Sequence, residues 1–106
     1  LLEPYIGAYY ELEATEKARA LYLEVSKKYQ ESLSYYSSLS EYNQSTYIQN
    51  IYNDIERYRS LVDVTAVYET EDFIKSEMEK FNSFLRLFTG ELENDQPDEE
   101  SIDDLF

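Results

Sequence analysis

The side chains of this sequence that could take part in chemistry are carboxylates and phenols. The chain has 106 residues, of which 23 are Asp or Glu and 12 are Tyr, and it contains no His and no Cys. The usual zinc ligands, thiol nucleophiles and imidazole bases are therefore missing. Because Gly7 and Gly90 are the only glycines, the sequence also lacks a phosphate-binding P-loop and a dinucleotide-binding G-x-G-x-x-G motif.

Two groups of neighbouring carboxylates have the residue types of a divalent-cation site or of a glycoside hydrolase. They are Glu13 with Glu16, and Glu69 with Glu71 and Asp72. Neither segment supplies a glycine-bearing calcium loop or a group that would activate a substrate. Both are therefore interpreted as charges on solvated helix faces. We predict no catalytic, cofactor-binding or metal-binding residue, and a protein that is not an enzyme.

The net charge limits the partners that the chain could bind. Nine Lys and Arg against 23 acids give a formal net charge of −14. This excess opposes direct binding to nucleic acid, which requires cations that displace counterions, and it opposes docking on an anionic membrane. No apolar run approaches the ~18 residues that span a bilayer, and the N-terminus lacks a signal-peptide pattern, so we expect a soluble, cytoplasmic protein.

The acids are concentrated at the C-terminus. Residues 91–106 hold eight acids and no base, whereas residues 1–90 hold fifteen acids and all nine bases, a net charge of −6. A segment dominated by one charge buries too little apolar surface to offset its ordering entropy. We therefore predict a folded domain over residues 1–90 and a disordered acidic tail over residues 91–106, with Gly90 just past the end of the last helix.

The tail ends in an apolar tip. In a single helical turn, Ile102, Leu105 and Phe106 share one side because their spacing is i, i+3, i+4. Acids followed by such a tip suit a basic groove with an apolar pocket. The predicted partner-binding residues of the tail are Asp98, Glu99, Glu100, Ile102, Asp103, Asp104, Leu105 and Phe106. The alternative is a solubilising tail in which the terminal Leu-Phe has no role.

Residues 103–106, together with the acids before them, resemble the acidic, Phe-ended tails of bacterial single-stranded-DNA-binding proteins. Those tails recruit replication and repair enzymes. The resemblance therefore implies a partner among DNA-handling enzymes, such as a polymerase. It does not extend to residues 1–90, which do not look like the β-barrel of those proteins.

The tyrosines are too numerous for the core of a small domain. With five Phe, the 12 Tyr make aromatic residues 16% of the chain, so several rings must lie at a rim or in an interface. Five tyrosines lie on or beside the apolar stripes and are expected to pack in or beside the core: Tyr22, Tyr29, Tyr36, Tyr52 and Tyr58. Five others flank the stripes and are predicted to bind a partner: Tyr9, Tyr10, Tyr35, Tyr42 and Tyr47.

Three apolar stripes with helical spacing organise residues 1–90. The first runs Ala18, Tyr22, Val25, Tyr29, Ser32, Tyr36, Leu39; the second Ile48, Ile51, Ile55, Tyr58, Val62; the third Ile74, Met78, Phe81, Leu85, Phe88. A related stripe upstream, Tyr5, Ala8, Tyr9 and Leu12, predicts that the first helix is continuous over about thirty residues.

The stretches between the stripes define the helix ends. Serines and Asn43 predict a turn between Tyr36 and Tyr47, and Thr70 is the predicted N-cap of the third helix. The β-branched segment from Val62 to Val67 is in phase with the second stripe, which favours helix over strand. We predict an all-α fold, either a three-helix bundle or an elongated antiparallel helical array.

Three functions fit these observations. The leading hypothesis is a non-catalytic accessory or adaptor protein, which docks on a larger assembly through its Tyr-rich body and engages a basic protein surface through its tail. The second is a viral or plasmid-borne DNA mimic that inhibits a nucleic-acid-binding protein. The third is a structural bundle that self-assembles through its Tyr and Phe faces. The apolar end of the third helix, Phe81 to Phe88, is either core or a homo-oligomer contact.

Overall fold

The computed structural model describes the backbone of residues 3–95 and the side chains of residues 3–88. Over that range the chain is all α-helical and contains no strand, which confirms the predicted fold class. The helices are α1 (Glu3–Glu11), α2 (Thr15–Ser37), α3 (Glu41–Thr46), α4 (Ile48–Ala66) and α5 (Glu71–Asp95). The predicted stripes lie on the three long helices α2, α4 and α5, and α1 and α3 are short additions.

The three long helices form an antiparallel bundle. Gln30 contacts Tyr58 and Ser32 contacts Asp54. Later residues of α2 therefore contact earlier residues of α4, as expected of antiparallel helices. The ring of Tyr58 lies 5.0 Å from that of Phe81, which joins α4 to α5 at the middle of the bundle. The buried stripe residues are Ala18, Tyr22, Val25, Ile51, Ile55, Tyr58, Val62, Ile74 and Phe81. Burial of these side chains is the main stabilising contribution to the fold.

Two stripe residues, Met78 and Ile48, and the neighbouring Tyr52 are exposed where the pattern predicts burial. Met78 is 48% exposed, and the neighbouring Glu77 is buried in its place at 4%. Glu77 tolerates burial because Tyr22 Oη donates to its Oε1 at 3.0 Å and Lys80 Nζ lies 3.5 Å from its Oε2. Ile48 and Tyr52, at 49% and 59% exposed, lie at the beginning of α4, where the bundle covers only one face of the helix.

The predicted continuous first helix is also wrong. Helix α1 ends at Glu11, and Glu13 adopts a left-handed conformation with φ 61°. The Glu13 N–H donates to the Tyr10 carbonyl at 2.9 Å and the Ala14 N–H donates to the Tyr9 carbonyl at 2.8 Å. These two bonds form a Schellman motif, the usual C-terminal termination of a helix, with Glu in the position that Gly usually occupies. The chain therefore turns back, and α1 packs against α2.

Because α1 reverses direction, its buried face is not continuous with the α2 stripe. Ile6 and Tyr10 are buried at 0% and 6%, whereas Tyr5 and Leu12 are 58% and 75% exposed. In the sequence the upstream stripe has the same helical phase as the α2 stripe. The turn at Glu13 interrupts the helix, so residues before and after it do not share a face.

The predicted turn after Tyr36 and the predicted N-cap are confirmed. Helix α2 ends at Ser37, and the Ser40 hydroxyl accepts a bond from the Asn43 N–H at 3.2 Å to cap α3, which the sequence did not predict. Thr70 Oγ1 accepts from the Phe73 N–H at 3.2 Å and caps α5. The segment from Val62 to Ala66 is helical, as its phase indicates.

At its C-terminus, α5 runs through Gly90 to Asp95, so Gly90 does not end the helix as predicted. The acidic segment begins inside α5, because Glu91, Glu93 and Asp95 belong to its last turns. The predicted tail residues from Asp98 to Phe106 lie outside the described residues and stay predictions.

Candidate protein-binding surface

One group of tyrosines binds carboxylates inside the bundle. Tyr10 Oη donates to Glu69 Oε2 at 2.6 Å, and Arg19 donates to the two Glu69 oxygens at 2.9 and 2.6 Å. Because the Arg19 hydrogen bonds and the Tyr10 hydroxyl stabilise the carboxylate, the pKa of Glu69 falls to about 2. This cluster ties α1 and α2 to the connection between α4 and α5.

The prediction that Tyr10 binds a partner is corrected by this contact. Its side chain is 6% exposed, and its ring stacks on that of Tyr68 with centroids 4.9 Å apart. Tyr68 in turn donates to Glu11 Oε2 at 2.5 Å. Because its ring is covered by Tyr68 and its hydroxyl is bonded to Glu69, Tyr10 has no exposed group that a partner could contact in this conformation.

Three further tyrosines have structural roles. Tyr22 Oη donates to Glu77 Oε1, Tyr29 Oη donates to Glu3 Oε2, and Tyr58 Oη accepts from Gln30 Nε2 at 2.9 Å. Burial, together with the neighbouring carboxylate, raises the pKa of Tyr22 above its ordinary range and that of Tyr29 to about 12. A buried phenol requires an acceptor, and this chain supplies Glu in that role.

A second group of tyrosines lies at one end of the bundle, which we call the aromatic end: Tyr35, Tyr36, Tyr42, Tyr47 and Tyr52. The ring of Tyr36 lies 5.6 Å from that of Tyr35 and 5.5 Å from that of Tyr47, so three rings form a continuous contact. Tyr35, Tyr42, Tyr47 and Tyr52 are exposed by 58%, 78%, 40% and 59%, whereas Tyr36 is half-buried and anchors the group. The area is large and solvent-facing, as expected of a binding surface.

Local structure holds the aromatic end in place. The rings come from the last turns of α2, from α3 and from the first turns of α4. Gln44 Nε2 donates to the Leu39 carbonyl at 3.0 Å, and the Ser40 cap fixes the start of α3. These contacts hold the α2–α4 connection in a defined conformation, so the rings are presented with little ordering left to complete on binding.

The aromatic end is nearly free of charge. Residues 34–53 contain five Tyr, many Ser, Asn and Gln, and Glu41 as the single charged residue. Tyr, Ser and Asn are the residues that antibody paratopes use, because Tyr supplies rigid contact area and the small polar side chains supply adaptable hydrogen bonds. Sequence reasoning singled out Tyr35, Tyr42 and Tyr47 but missed Tyr52. The missed signal is the long interval without Lys or Arg, from Lys28 to Arg57.

The remaining predicted tyrosine, Tyr9, lies elsewhere. It is half-buried and lines a groove between α1 and α2 with Tyr5, Lys17 and Leu21. The structure therefore brings Tyr35, Tyr42 and Tyr47 to one end of the bundle, leaves Tyr9 on another surface, and places Tyr10 in the core.

Among the described residues, no three or more Asp or Glu side chains are grouped so that they could hold a metal ion. Likewise, no helix in the described part of the chain has the length and apolar character needed to cross a membrane. Comparison of the chain with protein-family models, with curated protein sequences and with solved structures gave no match.

Proposed function

We propose that this protein is a non-catalytic, cytoplasmic accessory protein that binds other proteins. In this proposal the aromatic end docks on a larger assembly, and the acidic residues 91–106 engage a basic surface of that assembly. The observation that carries the proposal is the exposed, charge-depleted set of tyrosines at one end of a bundle in which Tyr10, Tyr22, Tyr29 and Tyr58 are hydrogen-bonded internally. Exposed Tyr at this density is typical of interface centres.

The position of the acidic segment supports the same function. Helix α5 extends to Asp95, so the acidic segment begins on a helix of the bundle, with Glu91, Glu93 and Asp95 in its last turns. A partner could meet both features at once, with charge raising the association rate and the rings lengthening the lifetime of the complex.

The partner that best fits an acidic segment of this kind is an enzyme that handles DNA or RNA, such as a replication polymerase. Such an enzyme has a positively charged surface because it must bind phosphates. In this proposal the acidic residues Asp98 to Asp104 contact that surface, and Leu105 and Phe106 occupy an apolar pocket beside it.

The DNA-mimic alternative draws less support from the geometry. A mimic requires a regular array of free carboxylates on the folded surface. In this bundle Glu3, Glu11, Glu69 and Glu77 instead accept hydrogen bonds from tyrosines of other helices or connections. Their charges serve internal contacts.

Affinity capture with full-length variants tests the proposal. Three baits are compared at low and moderate salt: the natural chain, a Tyr35→Ser/Tyr42→Ser variant, and a variant with Asp98, Glu99, Glu100, Asp103 and Asp104 changed to their amides. We expect one protein that the natural chain retains more strongly at low than at moderate salt, that the serine variant loses at both salts, and that the amide variant retains weakly and equally at the two salts. Identical retention by all three baits would contradict the proposal.

A further inference from the structure

The net charge is unequally distributed along the chain. Residues 29–56 carry four acids and no base, and residues 87–106 carry eight acids and no base. By contrast, residues 1–28 carry five acids against four bases, and residues 57–86 carry six against five. Of the net charge of −14, the first two segments therefore account for −12.

The antiparallel register of α2 and α4 places the acids of residues 29–56 in one half of the bundle. Ser32 Oγ donates to Asp54 Oδ2 at 2.6 Å, and Tyr36 of α2 contacts Tyr47 at the start of α4. Glu31 lies one helical turn before Tyr35 on α2, and Glu41 precedes Tyr42 on α3. These acids therefore lie beside the exposed rings.

Elsewhere in the molecule, aromatic rings are paired with the chain's own arginines. The Arg19 guanidinium lies 4.8 Å from the Phe73 ring centroid, and that of Arg59 lies 5.2 Å from the Phe81 centroid. The segment that forms the aromatic end contains no Lys or Arg with which to make such a contact. The exposed ring faces, beside the acids of residues 29–56, are suited to cations from another molecule.

We propose that the aromatic end binds an arginine-rich protein segment, whose guanidinium groups stack on Tyr35, Tyr42 and Tyr47 and pair with the acids of residues 29–56. This inference rests on the proposed function and names the chemistry of the partner. Arginine fits better than lysine because its planar guanidinium stacks on rings, binds carboxylates in a bidentate manner and is less strongly hydrated.

Two peptides of equal charge test the inference. The full chain is titrated with labelled octa-arginine and with labelled octa-lysine at moderate salt, and binding is followed by fluorescence anisotropy. We expect the natural chain to bind octa-arginine about tenfold more tightly, the size that two or three cation–π contacts provide. The Tyr35→Leu/Tyr42→Leu variant keeps apolar area but loses the rings, so it should lose most of this preference, whereas Tyr35→Phe/Tyr42→Phe should retain it.

Tyr5→Leu is the matched control, because Tyr5 has the same exposure as Tyr35, 58%, but lies on α1. It should leave both affinities unchanged. Equal affinity for the two peptides, or an arginine preference that survives the leucine variant, would overturn the inference and leave the proposed function intact, since that function requires only salt-sensitive binding to a basic surface. Failure of both peptides to bind would overturn the two together.

Discussion

At the scale of single residues, the tyrosines divide by what their hydroxyls contact. Tyr10, Tyr22, Tyr29 and Tyr68 each donate to a glutamate on another helix or connection. A small bundle that buries phenols needs acceptors for them, which explains why the sequence is rich in both Tyr and Glu. The tyrosines of the aromatic end take no part in this pairing, so they are free to serve binding.

The Tyr22–Glu77 contact should be the most sensitive of these pairs, since both side chains are buried. Tyr22→Phe leaves the Glu77 carboxylate without its phenol donor and should lower the free energy of unfolding by about 1–3 kcal/mol. Tyr52→Phe removes a hydroxyl from an exposed ring and should change the free energy of unfolding by less than about 0.5 kcal/mol. Urea unfolding followed by circular dichroism measures both, and equal midpoints for the two variants would refute this role of Glu77.

The Glu69 cluster predicts how stability depends on acid. The pKa of Glu69 is about 2 in the folded protein against an ordinary value of 4.5, chiefly because of the Arg19 hydrogen bonds. A carboxyl with a depressed folded pKa stabilises the fold above its unfolded pKa, and that contribution disappears as the pH falls from about 4.5 towards 2. We expect Glu69→Gln to be less stable than the natural chain at neutral pH and to lose less stability on acidification.

The control for this prediction is Glu79→Gln, an exposed acid on α5. It should preserve the acid dependence of the natural chain. If urea midpoints of Glu69→Gln and the natural chain fall in parallel between pH 5 and pH 3, then Glu69 is not the source of the dependence.

At the scale of elements, the turn at Glu13 decides how the N-terminal half folds. The Schellman motif places a non-glycine residue at φ 61°, a conformation that costs an L-residue about 1–2 kcal/mol. Sequence reasoning extended one helix across this position, because Glu is a good helix former and no Gly or Pro indicates a break. Packing of Ile6 and Tyr10 on the bundle offsets the local cost.

Glu13→Gly should therefore stabilise the protein. Gly removes the left-handed strain but increases the entropy of the unfolded chain, and the net gain should be about 0.5–1 kcal/mol. Glu16→Gly, three residues later in the first turn of α2, should destabilise by a similar amount, since Gly has no advantage in a regular helix. Thermal unfolding gives both values, and destabilisation by Glu13→Gly would show that the turn is not left-handed in solution.

The long helices were predictable because their stripes are sustained and the caps are standard residues. The Val62–Ala66 segment and the Thr70 cap follow from phase and residue type alone. The burial of Glu77 in place of Met78 does not follow from phase and residue type, because it depends on the hydroxyl of Tyr22, 55 residues earlier in the chain. In the same way, Tyr9 and Tyr10 are equivalent by type, and only the return of α1 onto the bundle separates them.

At the scale of the whole molecule, the aromatic end combines exposed rings with a chain segment, residues 29–56, that carries acids and no base. The composition predicts surplus tyrosines and an excess of acids as separate features, but the sequence alone does not bring Tyr35 and Tyr36 together with Tyr47. The antiparallel order of α2 and α4 does so, because it places the end of α2 beside the start of α4.

This arrangement predicts that association with a basic partner depends on where an acid lies as well as on net charge. Changing Glu31, Glu41 and Glu56, the exposed glutamates of residues 29–56, to Gln should slow association with octa-arginine several-fold at low salt. Changing Glu16, Glu24 and Asp63 to their amides removes the same charge from the other half of the bundle and should slow association much less. Stopped-flow mixing measures both rates, and equal slowing would indicate that only the total charge matters.

The proposed function places protein binding at the aromatic end. It is tested most directly by an NMR titration of the isotope-labelled full chain with octa-arginine, following backbone amides and tyrosine rings together. We expect the largest shifts on residues 34–53, with the rings of Tyr35, Tyr42 and Tyr47 among them. Shifts concentrated instead on the α1–α2 groove around Tyr5 and Tyr9, with the aromatic end unchanged, would contradict this assignment.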